Sequence, residues 1–302
     1  MAATLIKVLL ATDGSVDARL ASKAGMELSK AMGSELHIVR VLERFPRYAY
    51  PGITSELYSL ALDKQDRQGQ ELLAEEAERV RDGGGEVAEV YLKRGQIVDE
   101  LLDLAEELEA SLIVLGSRGL GPVKRLVMGS VSEGVARNAP CPVLVMRGGA
   151  DAWPPERIVI GDDGSEEARG AGELAATIGR LYDAKGLLVR AYPQLPEQDT
   201  EGREFDARLV DDELRREEQA LQERAAQIES SVGVRPKIRI SVGDPVGCIL
   251  EAAGEGVEGK TLVAVGSHGF DAVWRLRLGS VSTKALHAAK GPILIHPRPP
   301  AQ

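Results

Sequence analysis

The sequence predicts an α/β protein of two tandem doubly wound domains, each a five-stranded parallel sheet of order 3-2-1-4-5 with helices on both faces. Three observations lead there: a long internal repeat, a regular alternation of strand-like and helix-like segments, and near-continuous apolar runs where strands are due. The repeat comes first. IKVLLATDGSVDAR (6–19) faces ERIVIGDDGSEEAR (156–169), so that Asp13, Gly14, Ser15, Ala18 and Arg19 match Asp163, Gly164, Ser165, Ala168 and Arg169 at an offset of 150. The same offset holds a hundred residues on, where VLGSRGLGPVKRLVMGSVS (114–132) faces AVGSHGFDAVWRLRLGSVS (264–282). A period this long is too great for a solenoid, so each copy should carry its own core. The 302 residues also suit two domains of ~100–200 residues each. Domains over 1–148 and 149–302 are expected. RGGADAWPP (147–155), punctuated by Gly-Gly and Pro-Pro, reads as an exposed linker between them.

In the first copy the strands are expected at 6–11, 35–42, 86–93, 111–115 and 142–146, with helices near 17–32, 55–81, 97–108 and 131–138. Runs such as Leu112-Ile113-Val114-Leu115 have no polar face, as a strand covered by helices on both sides requires. Strand–helix alternation then gives right-handed βαβ units and a parallel sheet. The second copy repeats the plan, with strands near 157–161, 186–191, 235–242, 261–265 and 292–296. Its second helix reads as longer and acidic, with 12 acidic and 5 basic residues between Glu197 and Glu229, a pattern expected of a solvated helix face and a mobile loop.

Composition narrows the function. A net charge of −10 argues against a general nucleic-acid binder, which needs a basic face. Two cysteines, Cys141 and Cys248, lie in unlike apolar settings and suit a reducing compartment better than a disulfide framework. No uninterrupted apolar run approaches the ~18 residues of a membrane span, and no signal-peptide pattern opens the chain, so a cytoplasmic protein without membrane contact is expected. His37, His268, His287 and His296 show no metal-ligand spacing, and no metal site built from protein side chains is expected.

In open parallel sheets ligands bind at the carboxyl ends of strands where the strand order reverses, which for order 3-2-1-4-5 lies between strands one and four. Strand one ends at Ala11-Thr12-Asp13-Gly14-Ser15 and strand four at Gly116-Ser117-Arg118-Gly119. The repeat-matched, glycine-bearing segments therefore flank the expected crevice. The second segment runs on to Gly129-Ser130-Val131-Ser132, where a helix should start; small residues there let free N–H groups and the helix dipole meet an anion. Glycines at 116 and 119 would let the loop present further donors, and Arg118, Lys124 and Arg125 supply positive charge. Arg125 recurs as Arg275, whereas His268 stands for Arg118. Asp13 and Asp163 read either as helix caps or as acceptors for an adenine amino group or a ribose hydroxyl.

GEGVEGKT (254–261) fits the pattern G-x4-G-K-T but follows a helix and opens a strand, the reverse of a true phosphate loop. The serines near glycine lack the setting of a nucleophile elbow, and no constellation for a dedicated catalyst stands out.

The endings ATDGS (11–15) and GDDGS (161–165), the twice-occurring spacing Gly-x2-Gly-x9-Gly-Ser, and the closing strands APCPVLVM (139–146) and KGPILIHP (290–297) resemble the universal stress protein family, in its tandem form and its ATP-binding branch. The resemblance covers nearly the whole chain. It implies that Ala11, Asp13 and Val41 meet adenosine, that Gly116, Arg118 and Gly119 line the ribose and phosphate side, and that Gly129, Ser130, Val131 and Ser132 hold the phosphates. For the second copy it implies Gly161, Asp163, Ala191, Gly266, His268, Gly269, Gly279, Ser280, Val281 and Ser282, with His268 and Ala191 departing from the first copy. The ligand expected is ATP with Mg2+. Pairing of the two halves through their last strands, and a homodimer, are further implications. The function expected is a stress-response regulator with at most slow ATP hydrolysis, a binder rather than a dedicated enzyme. An ATPase or adenylyl-transfer enzyme, and a nucleotide-free dimerisation scaffold, are the alternatives.

Overall fold

In the computed structural model, strand β1 (Lys7–Ala11) runs between β2 (Glu35–Glu43) and β4 (Leu112–Gly116), parallel to both. Its middle residues Val8, Leu9 and Leu10 are 0% exposed, as are Leu112, Ile113 and Val114 of β4. Each side chain so removed from water contributes roughly 1.5–3 kcal/mol, which is why the continuous apolar runs settle at the centre of the sheet. Residues 6–43, 54–119, 128–193, 207–256, 259–267 and 278–298 are described. They fall into two compact units, Thr4–Trp153 and Pro154–Gln302.

The first unit continues with α1 (Val16–Met32), α2 (Ser55–Asp82), β3 (Glu89–Gly95), α3 (Ile97–Glu107), α4 (Ser130–Asn138) and β5 (Val143–Met146). Its strand order is β3-β2-β1-β4-β5, all parallel. Helices α1 and α2 pack together on one face, α3 and α4 on the other. The second unit holds β6 (Arg157–Gly161), α5 (Glu166–Leu181), β7 (Lys185–Tyr192), α6 (Ala207–Val232), β8 (Lys237–Val242), α7 (Pro245–Gly254), β9 (Thr261–Gly266), α8 (Ser280–Ala288) and β10 (Ile293–His296). It repeats the order as β8-β7-β6-β9-β10, with α5 on α6 and α7 on α8. The doubly wound α/β fold expected from the sequence is the fold observed.

Three details differ from the sequence reading. Strand three begins at Glu89 rather than 86, because its register is set by pairing with β2, from His37 opposite Glu89 to Glu43 opposite Gly95. Helix α6 is not longer than its counterpart: it has 26 residues against 28 in α2. The acidic stretch before it, residues 194–206, lies outside the described residues. The segment 147–155 is not an exposed linker throughout. Ala152 and Trp153 are each 1% exposed, the Trp153 indole N–H donates to Glu27 Oε2 at 3.0 Å, and Lys23 Nζ donates to the Trp153 carbonyl at 2.8 Å. Burying an indole with its one donor satisfied outweighs the local turn signal of the glycines and prolines around it. The Gly-Lys-Thr decoy behaves as expected, with α7 ending at Gly254 and β9 opening at Thr261.

Candidate functional site

The carboxyl ends of β1 and β4 lie side by side, Ala11 opposite Leu115, and the chain leaves them in the Asp-Gly-Ser turn on one side and Ser117-Arg118-Gly119 on the other. Asp13 does not cap α1. Its Oδ1 accepts from the Ser15 N–H at 3.0 Å, folding the turn back on itself, while Ser15 is the cap, its Oγ accepting from the Ala18 N–H at 3.2 Å. The second unit repeats both bonds, Ser165 N–H to Asp163 at 3.0 Å and Ala168 N–H to Ser165 Oγ at 3.1 Å. The turn needs left-handed backbone at its centre, and Gly14 (φ +81°) and Gly164 (φ +86°) supply it.

Gly116 and Gly266 serve packing rather than an open nest. A Cβ on Gly116 would stand 2.7 Å from the Ala18 nitrogen, and one on Gly266 would stand 2.8 Å from that of Ala168. Both let the first turn of the helix that follows the neighbouring strand, α1 or α5, close on the strand end. Gly119 lies against the Asp13 carboxylate, where a Cβ would be 2.5 Å from Oδ2. Gly129 N–H donates to the Ser117 carbonyl at 2.9 Å, and Gly279 N–H to that of Ser267 at 2.7 Å.

Helix α4 starts at Ser130, one residue before the 131 expected from the sequence, and α8 at the matching Ser280. Gly129 and Gly279, not serines, occupy the cap positions, and neither offers a side chain to the first turn. Ser130 and Ser280 are the first helical residues. Ser132 and Ser282 turn inward as struts, Ser132 Oγ donating to the Gly116 carbonyl at 2.8 Å and Ser282 Oγ to that of Gly266 at 2.6 Å. A helix start with no capping side chain presents its first-turn N–H groups and the positive end of its dipole to whatever lies in front.

What lies in front is a cavity. In the first unit it measures about 320 Å³, and all ten residues singled out from the sequence line it: Ala11, Asp13, Val41, Gly116, Arg118, Gly119, Gly129, Ser130, Val131 and Ser132. In the second it measures about 730 Å³ and is lined by Gly161, Asp163, Ala191, Gly266, Gly279, Ser280, Val281 and Ser282. His268 and Gly269 lie outside the described residues, as do Lys124, Arg125 and Arg275. Both volumes suit a small-molecule site.

The sequence reading missed several lining residues. Val39, Ile97 and Leu101 add apolar lining to the first cavity. Ile97 and Leu101 are one turn apart on α3, so helical periodicity carried that signal. It also missed the anchor beneath Arg118. Asp17, 7% exposed, accepts from Ser117 Oγ at 2.7 Å and Arg118 Nε at 3.2 Å. Buried Arg147 faces the same pair; burial and the Arg118 charge hold its pKa below the usual guanidinium value, and Asp17 opposes them. In the second unit Glu167 takes this place and meets Arg298 at 3.5 Å. The second cavity further gains Arg190, Tyr192, Glu213 and Glu217. Among the described residues, no group of three or more His, Cys, Asp or Glu side chains is placed to hold a metal ion. Nor is any described helix long and apolar enough to cross a membrane.

This architecture has known relatives. The model of the universal stress protein family matches residues 6–147 and again 155–297. A universal stress protein of Mycobacterium tuberculosis is 26% identical over 298 residues, covering 95% of this chain and 96% of the relative. One from Thermus aquaticus is 33% identical over 140 residues, 46% of this chain and 97% of its own. Among solved structures, a universal stress protein from Archaeoglobus fulgidus covers 97% of this chain and 98% of its own with a TM-score of 0.69 at 21% identity, a likeness of fold. With the family model matched twice in succession over two copies of one doubly wound unit, the chain belongs to the universal stress protein family in its tandem two-domain form.

Proposed function

We propose that each half binds an adenine nucleotide, ATP with Mg2+, and that the chain is a stress-response regulator with at most slow hydrolysis. The observation that carries this is the first cavity itself. It is lined by the uncapped start of α4 at Gly129, a ready anion site of amides and helix dipole. It is also lined by the apolar Val39, Val41, Ile97 and Leu101, as a purine ring requires. Asp13 lines the same cavity and offers an acceptor for a ribose hydroxyl or an adenine amino group. The phosphates would sit at Ser130, Val131 and Ser132, with Gly119 leaving room beside Asp13. Bound ATP brings Mg2+ on its own phosphates and supplies a charged, water-soluble signal; the chain's part is to bind and orient it.

Isothermal titration of the purified chain with Mg-ATP tests this. Two sites are expected, one lost in Gly129→Val and the other in Gly279→Val, because a branched side chain at the cap covers the first-turn amides. No binding by the parent would leave a scaffold without nucleotide. Steady turnover above about 1 per second, within the usual range for enzymes, would make it an ATPase or transferase instead. The family resemblance also supports a cytoplasmic protein whose halves pair through their last strands and whose chains dimerise. Analytical ultracentrifugation would then report twice the 32.3 kDa of one chain.

A further inference from the structure

The two halves are wired differently behind their cavities. At the end of β6, Asp162 has a side chain that is 0% exposed and is gripped from two elements. Arg190 of β7 pairs with it through Nη2, and its Nη1 donates to Glu217 of α6 at 2.7 Å. Arg224 of α6 makes an ion pair, without a hydrogen bond, from Nε to Asp162 Oδ1 at 3.2 Å, and its Nη2 donates to the carbonyls of Gly164 at 3.2 Å and Ser165 at 3.3 Å. Those two carbonyls belong to the turn that carries Asp163. The C-terminal half of α6 is seated by Leu221, Ala225, Ile228 and Val232, all at most 1% exposed. The N-terminal half lends Glu213 and Glu217 to the cavity wall.

Among the described residues the first half has no equivalent clamp. Thr12 replaces Asp162 at the strand end, and its Oγ1 accepts only a local bond from the Gly14 N–H at 3.3 Å. The buried stripe Leu73, Glu76, Ala77, Val80 of α2 has the spacing of Leu221, Arg224, Ala225, Ile228 of α6, which sets Glu76 where Arg224 stands. Glu76 pairs with Arg79 on its own helix. Arg40, in the place of Arg190, keeps buried Nε and Nη1 atoms without a hydrogen-bond partner. In their stead Leu72 packs beneath Gly14.

We propose that Asp162 and Arg224 are positioning residues that couple helix α6 to the nucleotide cavity of the second half, fixing the Asp163 turn and the Glu217 wall together, whereas in the first half α2 meets the Asp13 turn through the apolar side chain of Leu72 rather than through a charged clamp. The proposal rests on the nucleotide reading above. Occupancy of the second cavity should then tighten α6, and loosening the clamp should weaken the second site alone.

The paired variant Asp162→Thr/Arg224→Met removes one charge of each sign and restores the first half's residue at the strand end. It is measured in the Gly129→Val background, where only the second cavity reports, and in Gly279→Val, where only the first does. Mg-ATP affinity is expected to fall at least tenfold in the former and to change less than twofold in the latter. Hydrogen exchange across α6 is expected to slow on adding Mg-ATP in the parent and not in the paired variant, a response that a purely structural clamp would not give. Arg224→Lys keeps the charge without bridging acid and carbonyls, and should weaken the second site by an intermediate factor. It also serves if the paired variant does not fold. Unchanged affinity at the second cavity in a folded variant, or exchange in α6 indifferent to nucleotide, overturns the coupling while leaving nucleotide binding intact. A parent that binds no nucleotide at either cavity overturns the functional reading instead.

Discussion

Gly116 ends its strand so close to α1 that one added methyl would have to move backbone. A Cβ there meets the Ala18 nitrogen at 2.7 Å and the Asp17 carbonyl carbon at 2.7 Å. Gly116→Ala should therefore destabilise the first unit by about 1–3 kcal/mol, the usual range for forced overpacking, read as a lower midpoint in urea. Gly14→Ala strains the backbone, since φ is +81°, and also presses a Cβ to 2.6 Å from Leu72 Cδ1, a side-chain end that can shift. A cost of about 1–2 kcal/mol is expected, and Gly14→Asn should recover part of it. Ser132→Ala removes a buried strut to the Gly116 carbonyl, and about 1 kcal/mol should go with it. Most of these residues were legible in the sequence because their chemistry is local: a turn that needs a left-handed residue, and a helix start that wants small ones. Asp17 was not. It reads as an ordinary first-turn acid of α1, and its partners Ser117 and Arg118 lie a hundred residues on, so only the folded sheet brings them together.

At the scale of elements, the central strands announced themselves by having no polar face, while edge strand β3 did not. Val90 is 43% exposed, and the alternation in EVAEVYLK fits more than one register, so pairing with β2 decides where the strand begins. The same edge position in the second unit carries a pH-sensitive tie. Arg239 of β8 donates twice to Glu255, just past the end of α7, at 2.5 and 2.9 Å, and Arg157 of β6 donates at 3.1 Å. The hydrogen bonds from Arg239 chiefly hold the Glu255 pKa at about 2; the desolvation that opposes them is outweighed, and Arg157 adds to the lowering. An unfolded glutamate titrates near ~4.3, so this tie contributes fully above that pH and fades as the pH falls toward 2. Carbon-detected NMR titration should find Glu255 still ionised at pH 3, and Arg239→Gln should return it toward the ordinary glutamate range. A midpoint for Glu255 near 4 in the parent would remove the tie from the account.

For the molecule as a whole, duplication was the most legible feature, since one offset of 150 residues aligns turn and glycine loop alike. What the repeat concealed is divergence between the copies. Asp162, Arg190 and Arg224 are spread over three elements and read as scattered charges until the second sheet forms. The join was misread for a related reason: Gly-Gly and Pro-Pro mark it as loop, yet Trp153 within it is 1% exposed and bonded to Glu27 of α1. Trp153→Ala should cost about 3–5 kcal/mol, as large-to-small changes of buried aromatics do. The loss should appear in the first unit's unfolding transition, where Glu27 resides. A change below 1 kcal/mol would mean the indole is not part of that unit's core.

The central claim is that uncapped first-turn amides at the starts of α4 and α8 grip a phosphate chain. The most direct test is an experimental structure of the chain crystallised with Mg2+ and a non-hydrolysable ATP analogue. Phosphate oxygens within hydrogen-bond distance of the N–H groups of Ser130, Val131 and Ser132, with the base against Ile97 and Leu101, is the result expected. Clear density for the analogue elsewhere, or cavities filled by the chain's own side chains at saturating ligand, would contradict it.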